Sequence, residues 1–124
     1  MNIRSAVIEG TNILKDKSIH SAQLDTEILM AKVLGTSREH IILNNNKVLK
    51  KKNLDYFNKL IKERATRKPI AYLLKKKFFW NSEFNVNKNT LIPRPDTELI
   101  IEQVLKITKN KNKLSLLDIG VGSG

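Results

Sequence analysis

Cysteine is absent from the 124 residues, which excludes disulfides, thiolate metal sites and cysteine nucleophiles from this stretch. Long apolar runs are absent too, and nothing approaches the roughly 20 consecutive apolar residues that span a bilayer. The opening Met1-Asn2-Ile3-Arg4-Ser5 has no apolar segment behind a basic one, so no leader is read there. A cytoplasmic location is the resulting expectation, with no membrane and no metal. Acidic residues are scarce, 12 against 23 Lys and Arg, leaving a formal charge of +11. The excess is uneven: from Lys47 to Lys77 the acids are Asp55 and Glu63, set among a dense run of Lys and Arg. Such a field favours an acidic protein, or tRNA or rRNA, by steering and counterion release. The competing reading is a plain solvated face, because Lys enriched together with Asn and Ile also follows from AT-rich coding.

The residues that are present can build a core. Hydrophobic residues make up 40% of the chain and are spread along it, unlike a disordered segment. The length suits one compact domain and is short for a helical domain plus a complete doubly wound one. A catalytic domain that opens within this stretch is therefore expected to continue past Gly124.

Apolar residues Ile3, Ala6, Val7, Ile13 and Leu14 recur at helical spacing, with Gly10 as a local weakness. Ser21 is placed to cap a second helix whose Leu24, Ile28, Ala31 and Leu34 form one stripe, with Asp25 in its first turn and Gly35 as its stop. Thr36 and Ser37 offer a cap to a short turn through His40 and Leu43, before the polar break Asn44-Asn45-Asn46. A long helix over about Lys51 to Thr66 buries Leu54, Phe57, Ile61 and Ala65. These helices predict a small bundle from Met1 to about Lys68.

Pro69 closes that pattern, since it donates no helical hydrogen bond and pushes Lys68 towards extended geometry. Phe78-Phe79-Trp80, Asn81-Ser82 and Phe84-Asn85-Val86 read as a short hairpin, aromatic and β-branched residues flanking a polar turn. Residues Pro69 to Leu91 are thus a hairpin linker. Ile92-Pro93-Arg94-Pro95-Asp96 restarts the chain at a helix entrance, and Thr97 to Thr108 is helical by periodicity. After a polar link, Leu114-Ser115-Leu116-Leu117-Asp118-Ile119 has the character of a buried parallel strand.

That run leads into Gly120-Val121-Gly122-Ser123-Gly124. Alternating glycines permit tight turning and close backbone approach to a ligand. A phosphate-binding P-loop would need its Lys beyond Gly124, and a dinucleotide fingerprint would need a further glycine there as well. The third reading is an S-adenosylmethionine loop, which is a hydrophobic strand, an acid, then Gly-x-Gly-x-Gly. Leu116 to Gly124 fits it at each specified position. In that reading Asp118, Gly120, Val121, Gly122, Ser123 and Gly124 bind the cofactor.

Three segments in order carry a resemblance: Pro69-Ile70-Ala71-Tyr72 before the Phe-Phe-Trp hairpin, then Leu91-Ile92-Pro93-Arg94-Pro95-Asp96-Thr97-Glu98, then the Asp118 glycine loop. Asp25-Thr26-Glu27-Ile28-Leu29 is a softer match. Together they resemble the HemK/PrmC family of glutamine methyltransferases, specifically from Pro69 onward and loosely before it. Members commonly have glycine near the place of Lys75, a departure that leaves the local hairpin geometry open.

The resemblance implies an α-helical N-terminal domain that helps hold a peptide chain release factor. It also implies a β-hairpin linker and, over residues 92–124, the start of an α/β Rossmann-like methyltransferase domain. It implies S-adenosylmethionine as cofactor, methyl transfer to the glutamine amide of a Gly-Gly-Gln motif, and Pro93 and Arg94 as support of the active site. The family's Asn-Pro-Pro-Tyr motif, which orients the amide, does not occur in these residues. No catalytic residue is therefore assigned here, and the stretch alone is expected to be inactive. The alternative is a non-catalytic basic helical module that binds RNA or an acidic protein.

Overall fold

The computed structural model describes all residues, Met1 to Gly124. The chain divides into two compact units, Met1–Leu74 and Lys75–Gly124. The helical body runs on through Leu74, past the expected boundary near Lys68.

The first unit holds five helices, α1 (Ile3–Asp16), α2 (Ala22–Leu34), α3 (Arg38–Leu43), α4 (Lys51–Ala65) and α5 (Ile70–Leu74). Asn2 starts α1, its side-chain oxygen accepting from the Ser5 N–H at 2.8 Å. Ser37 starts α3 in the same way through the His40 N–H. Gly35 ends α2 in a left-handed conformation, with φ of 63°. Pro69 lies just ahead of α5, where its carbonyl accepts from Tyr72 and Leu73.

The core joins Ile3, Ala6 and Leu14 of α1, Leu29 and Met30 of α2, Ile41 of α3, and Phe57, Leu60 and Ile61 of α4. Full burial of each large side chain contributes roughly 1.5–3 kcal/mol. On α4 the expected apolar face is found, Phe57 and Ile61 buried with Leu54 and Ala65 packed against the cluster.

Two expectations need correction. The stripe of Leu24, Ile28, Ala31 and Leu34 does not describe α2: Leu24 is exposed, and the buried set is Ala22, Asp25, Thr26, Glu27, Leu29, Met30 and Ala31. The reason is position, since α1, α3, α4 and α5 all pack on α2 and it has no single inward face. Ser21 precedes α2 but makes no side-chain cap; its hydroxyl donates instead to Asp25 Oδ2 at 2.9 Å.

Gly10 is a place of close approach more than a weakness. A Cβ there would lie 3.0 Å from Thr26 Cγ2 and 3.1 Å from both Ile61 Cδ1 and Phe57 Cζ. The missing side chain lets α1 settle against α2 and α4 together.

The second unit contains a hairpin, β1 (Lys76–Phe79) and β2 (Ser82–Asn85), and one long helix, α6 (Glu98–Thr108), entered through a 3-10 turn at Pro95–Thr97. The strands pair antiparallel with Phe79 opposite Ser82, so Trp80 and Asn81 form the turn. Phe79 and Phe84 meet edge to face, with ring centroids 6.0 Å apart. Lys75 enters the hairpin at φ of 62°, in the left-handed region that favours glycine, and its carbonyl accepts from the Val86 N–H. The hairpin thus forms with lysine at this left-handed position.

The buried strand expected over Leu114 to Ile119 is not formed. The only sheet is the two-stranded hairpin, and Leu117 and Ile119 are 83% and 87% exposed. A parallel strand needs neighbours on its edges to satisfy its backbone groups, and β1 and β2 are paired with each other. The same lack of cover reaches α6, where the expected helix exists but none of its residues is buried.

Candidate functional site

The glycine turn is built on backbone conformation. Gly120, Gly122 and Gly124 take φ values of 77°, 64° and 111°, each in the region where a Cβ is disfavoured. Space is open at the first and last, with nothing within 4 Å of an added Cβ. The Gly124 N–H donates to the Val121 carbonyl at 3.2 Å and closes the turn. Asp118 stands exposed at its entrance, with Val121 also exposed and Ser123 half-buried.

Upstream, Pro93 is half-buried and Arg94 exposed. Arg94 precedes the 3-10 turn, and its carbonyl accepts from the Thr97 N–H at 3.1 Å. Glu98, the first residue of α6, reaches back to the hairpin: its Oε1 accepts from the Trp80 N–H at 2.7 Å. The structure therefore joins the aromatic hairpin to the Ile-Pro-Arg-Pro-Asp-Thr-Glu segment through one hydrogen bond. The sequence names both segments, but not this contact, because backbone donors carry no sequence signal.

The Asp25-Thr26-Glu27 match resolves into structural roles. Arg64 Nε donates to Asp25 Oδ2 at 2.7 Å, tying α4 to α2. Arg38 Nε donates to Glu27 Oε2 at 2.6 Å, tying α3 to α2. Between them Thr26 is fully buried, its hydroxyl donating to the Ala22 carbonyl at 2.7 Å. The signal that was available is two acids flanking a threonine just ahead of the apolar run Ile28-Leu29-Met30-Ala31. Such acids are seldom buried without partners.

The basic stretch is not a uniform positive face. Arg64 is turned inward to Asp25, and Lys68 pairs with Glu63 at 2.6 Å. A shallow depression of about 450 Å³ on α4 mixes Lys59 and Lys62 with Asp55, Asn58 and Glu63. The Lys68 ammonium, with Lys59 behind it, holds the Glu63 carboxyl below the usual carboxylate range. Acids spaced a turn away from lysines reduce the field that a phosphate backbone would meet. His40 is half-buried, with its Nδ1 3.4 Å from the Asn44 amide. No group of three or more His, Cys, Asp or Glu side chains is arranged to hold a metal ion, and no helix is long and apolar enough to cross a membrane.

Residues 5–74 match the family model described as the PrmC N-terminal domain. A release factor glutamine methyltransferase of Clostridium botulinum is 40% identical over 124 residues, covering 100% of this chain and 44% of the relative. One of Leptospira interrogans is 40% identical over 124 residues, covering 99% and 43%. One of Buchnera aphidicola subsp. Baizongia pistaciae is 43% identical over 108 residues, covering 87% and 39%. The chain spans less than half the length of these curated relatives. With the helical unit matched from Ser5 to Leu74, more than half of the sequence, the chain belongs to the PrmC N-terminal domain family.

Proposed function

We propose that this chain is the N-terminal portion of an S-adenosylmethionine-dependent methyltransferase that modifies the glutamine side-chain amide in the Gly-Gly-Gln motif of peptide chain release factors. The observation that carries the reading is the glycine turn behind Asp118, left-handed at all three glycines, in a chain similar along its whole length to release factor glutamine methyltransferases.

In this reading residues 92–124 open a Rossmann-like α/β domain, and Asp118, Gly120, Val121, Gly122, Ser123 and Gly124 bind the cofactor. The residues present suit its methionine portion. The glycines carry no Cβ to block close approach to the backbone, and the exposed Asp118 carboxylate offers an ammonium group an acceptor. When bound, the cofactor supplies an electrophilic methyl group. An amide nitrogen is a weak nucleophile, so rate comes from holding it in line and from the field around it. Pro93 and Arg94 support that site from the entrance to α6. The residues that orient the amide lie outside this stretch, which is inactive by itself, and the helical unit helps hold the release factor. The enzyme works in the cytoplasm, in translation termination.

Calorimetric titration of S-adenosylmethionine into this chain, and into the same chain extended to relative length, tests the reading. Binding to the extended chain, weak or absent in the short one and lost on Asp118→Ala, is the expected result. Absence of binding in both removes the cofactor claim and favours a non-catalytic basic module that binds RNA or an acidic protein.

A further inference from the structure

Several cations of the basic stretch are matched by acids, Arg64 by Asp25, Lys68 by Glu63 and Lys76 by Glu83. Around the start of α4 the matching stops. Residues 40–54 contain no Asp or Glu, and neither do residues 1–8. The fold lays these two acid-free segments side by side: Asn2 bridges Val48, the Ile3 N–H donates to the Lys47 carbonyl at 2.9 Å, and the Arg4 N–H donates to the Asn45 carbonyl at 2.8 Å. Arg4, Lys47, Lys50, Lys51 and Lys52 are all exposed, and none takes part in an ion pair. Arg4 lies far from the others in sequence, and it is the bridge that gathers them on one edge.

This edge works against the helix it adjoins. Lys50 stands at the N-cap of α4 without a side-chain cap, Lys51 and Lys52 open the helix, and its first turn holds no acid. A helix N-terminus disfavours cations, and α2, α3 and α6 each carry an acid in the first turn. A local rule broken with no compensating contact in the same fold is expected where a surface serves function at the expense of stability. Beside these cations Val48 is 79% exposed, and Leu43, the last residue of α3, is 82% exposed. Both belong to the helical unit, which closes its own core.

We propose that the edge formed by Arg4, Lys47, Lys50, Lys51 and Lys52 around Val48 docks an acidic surface of the protein substrate. This rests on the proposed methyltransferase reading and gives the helical unit the contact by which it holds the release factor. Charge complementarity sets the sign of the partner, because a cluster of unpaired cations attracts a negatively charged face and speeds its approach. A protein face fits better than a nucleic acid. Val48 and Leu43 have nothing to bury against on a phosphate backbone, and no Phe, Trp or Tyr precedes Tyr56 to stack on a base. On a protein the cations form the polar rim and Val48 the apolar centre.

The test is the Kd of the full-length enzyme for a labelled release factor, read by fluorescence anisotropy at low and at high salt. In the triple variant Lys50→Glu, Lys51→Glu, Lys52→Glu, binding is expected to weaken about tenfold at low salt. The difference shrinks at high salt, and cofactor affinity is unchanged. The melting temperature holds or rises, because acids replace cations at a helix N-terminus. A merely structural role would move binding and stability in the same direction. Val48→Ser is expected to weaken binding about threefold at either salt. Equal weakening by the same reversal at Lys109, Lys111 and Lys113 makes net charge the cause and overturns the proposal. A Kd that the triple variant leaves unchanged, or a weakening that salt does not reduce, overturns it as well. With Kd unchanged, a lower melting temperature assigns the edge to the rest of the enzyme, and loss of tRNA binding assigns it to nucleic acid. A release factor that binds in the expected way but stays unmodified defeats the methyltransferase reading and leaves the docking edge standing.

Discussion

Arg64 Nε lies 2.7 Å from Asp25 Oδ2 and fastens the last turn of α4 to the first turn of α2. The Ser21 hydroxyl donates to the same carboxylate oxygen, and Arg64 Nη1 donates onward to the Lys68 carbonyl. One buried acid thus gathers the loop before α2, the body of α4 and the chain leading to α5. Removing the cation leaves the acid buried and without its counter-charge, which costs more than the pair contributes net. Arg64→Ala is expected to lower unfolding free energy by about 3–5 kcal/mol, read from the urea midpoint. Asp25→Asn, which keeps the hydrogen-bonding shape, is expected to cost less.

Gly10→Ala sets two effects in opposition. Alanine gains about 1 kcal/mol of helix propensity over glycine in a helix interior. Against it stand three contacts at 3.0–3.1 Å with Thr26, Ile61 and Phe57, all side chains too deeply buried to move aside. Overpacking of that kind costs about 1–3 kcal/mol, so the substitution is expected to destabilise by about 1 kcal/mol net. A rise in melting temperature would contradict the close packing of α1 on α2 and α4.

Lys75 holds φ of 62° at a position where glycine is free of the Cβ penalty of about 1–2 kcal/mol. Glycine in turn loses more freedom on folding. The balance gives Lys75→Gly a stabilisation of about 0.5 kcal/mol in the hairpin. Slower exchange of the Val86 amide proton, which bonds to the carbonyl of residue 75, is the expected readout.

Two carboxyls are held below their usual range, Glu63 chiefly by Lys68 and Glu39 by its own backbone N–H and the Ser37 hydroxyl. A depressed folded-state pKa contributes stability that is present above the unfolded value, about 4.3, and is lost as pH falls through the lower folded value. Stability of the helical unit is therefore expected to fall from pH 5 to pH 3. Both groups are on the surface, so the Glu63 part is at most about 0.5 kcal/mol and is screened by salt. Glu63→Gln should flatten the acid limb slightly and leave stability at pH 7 little changed.

The helices were legible because apolar spacing and caps act locally. Ser37 before α3 and Phe57 with Ile61 on α4 could be read directly. α2 was misread in its faces because a central helix answers to four neighbours, and Asp25, Thr26 and Glu27 count as polar until their partners are known. At the candidate site, the glycine turn was legible as backbone conformation, since positive φ at Gly120, Gly122 and Gly124 is what those residues permit. The Trp80 to Glu98 bond was not, because a backbone donor leaves no trace in a sequence. The strand over Leu114 to Ile119 shows the reverse case: its pattern is legible, but the geometry depends on strands elsewhere.

The uncovered apolar side of α6 also bears on synthesis. Contacts of the helical unit close within residues 1–74, so a chain emerging N-terminus first can finish that unit early, as domains generally do. Leu99, Ile100, Leu105 and Ile107 then emerge with no surface of their own to rest on. Exposed apolar side chains of that kind are what makes a partly folded chain prone to aggregate.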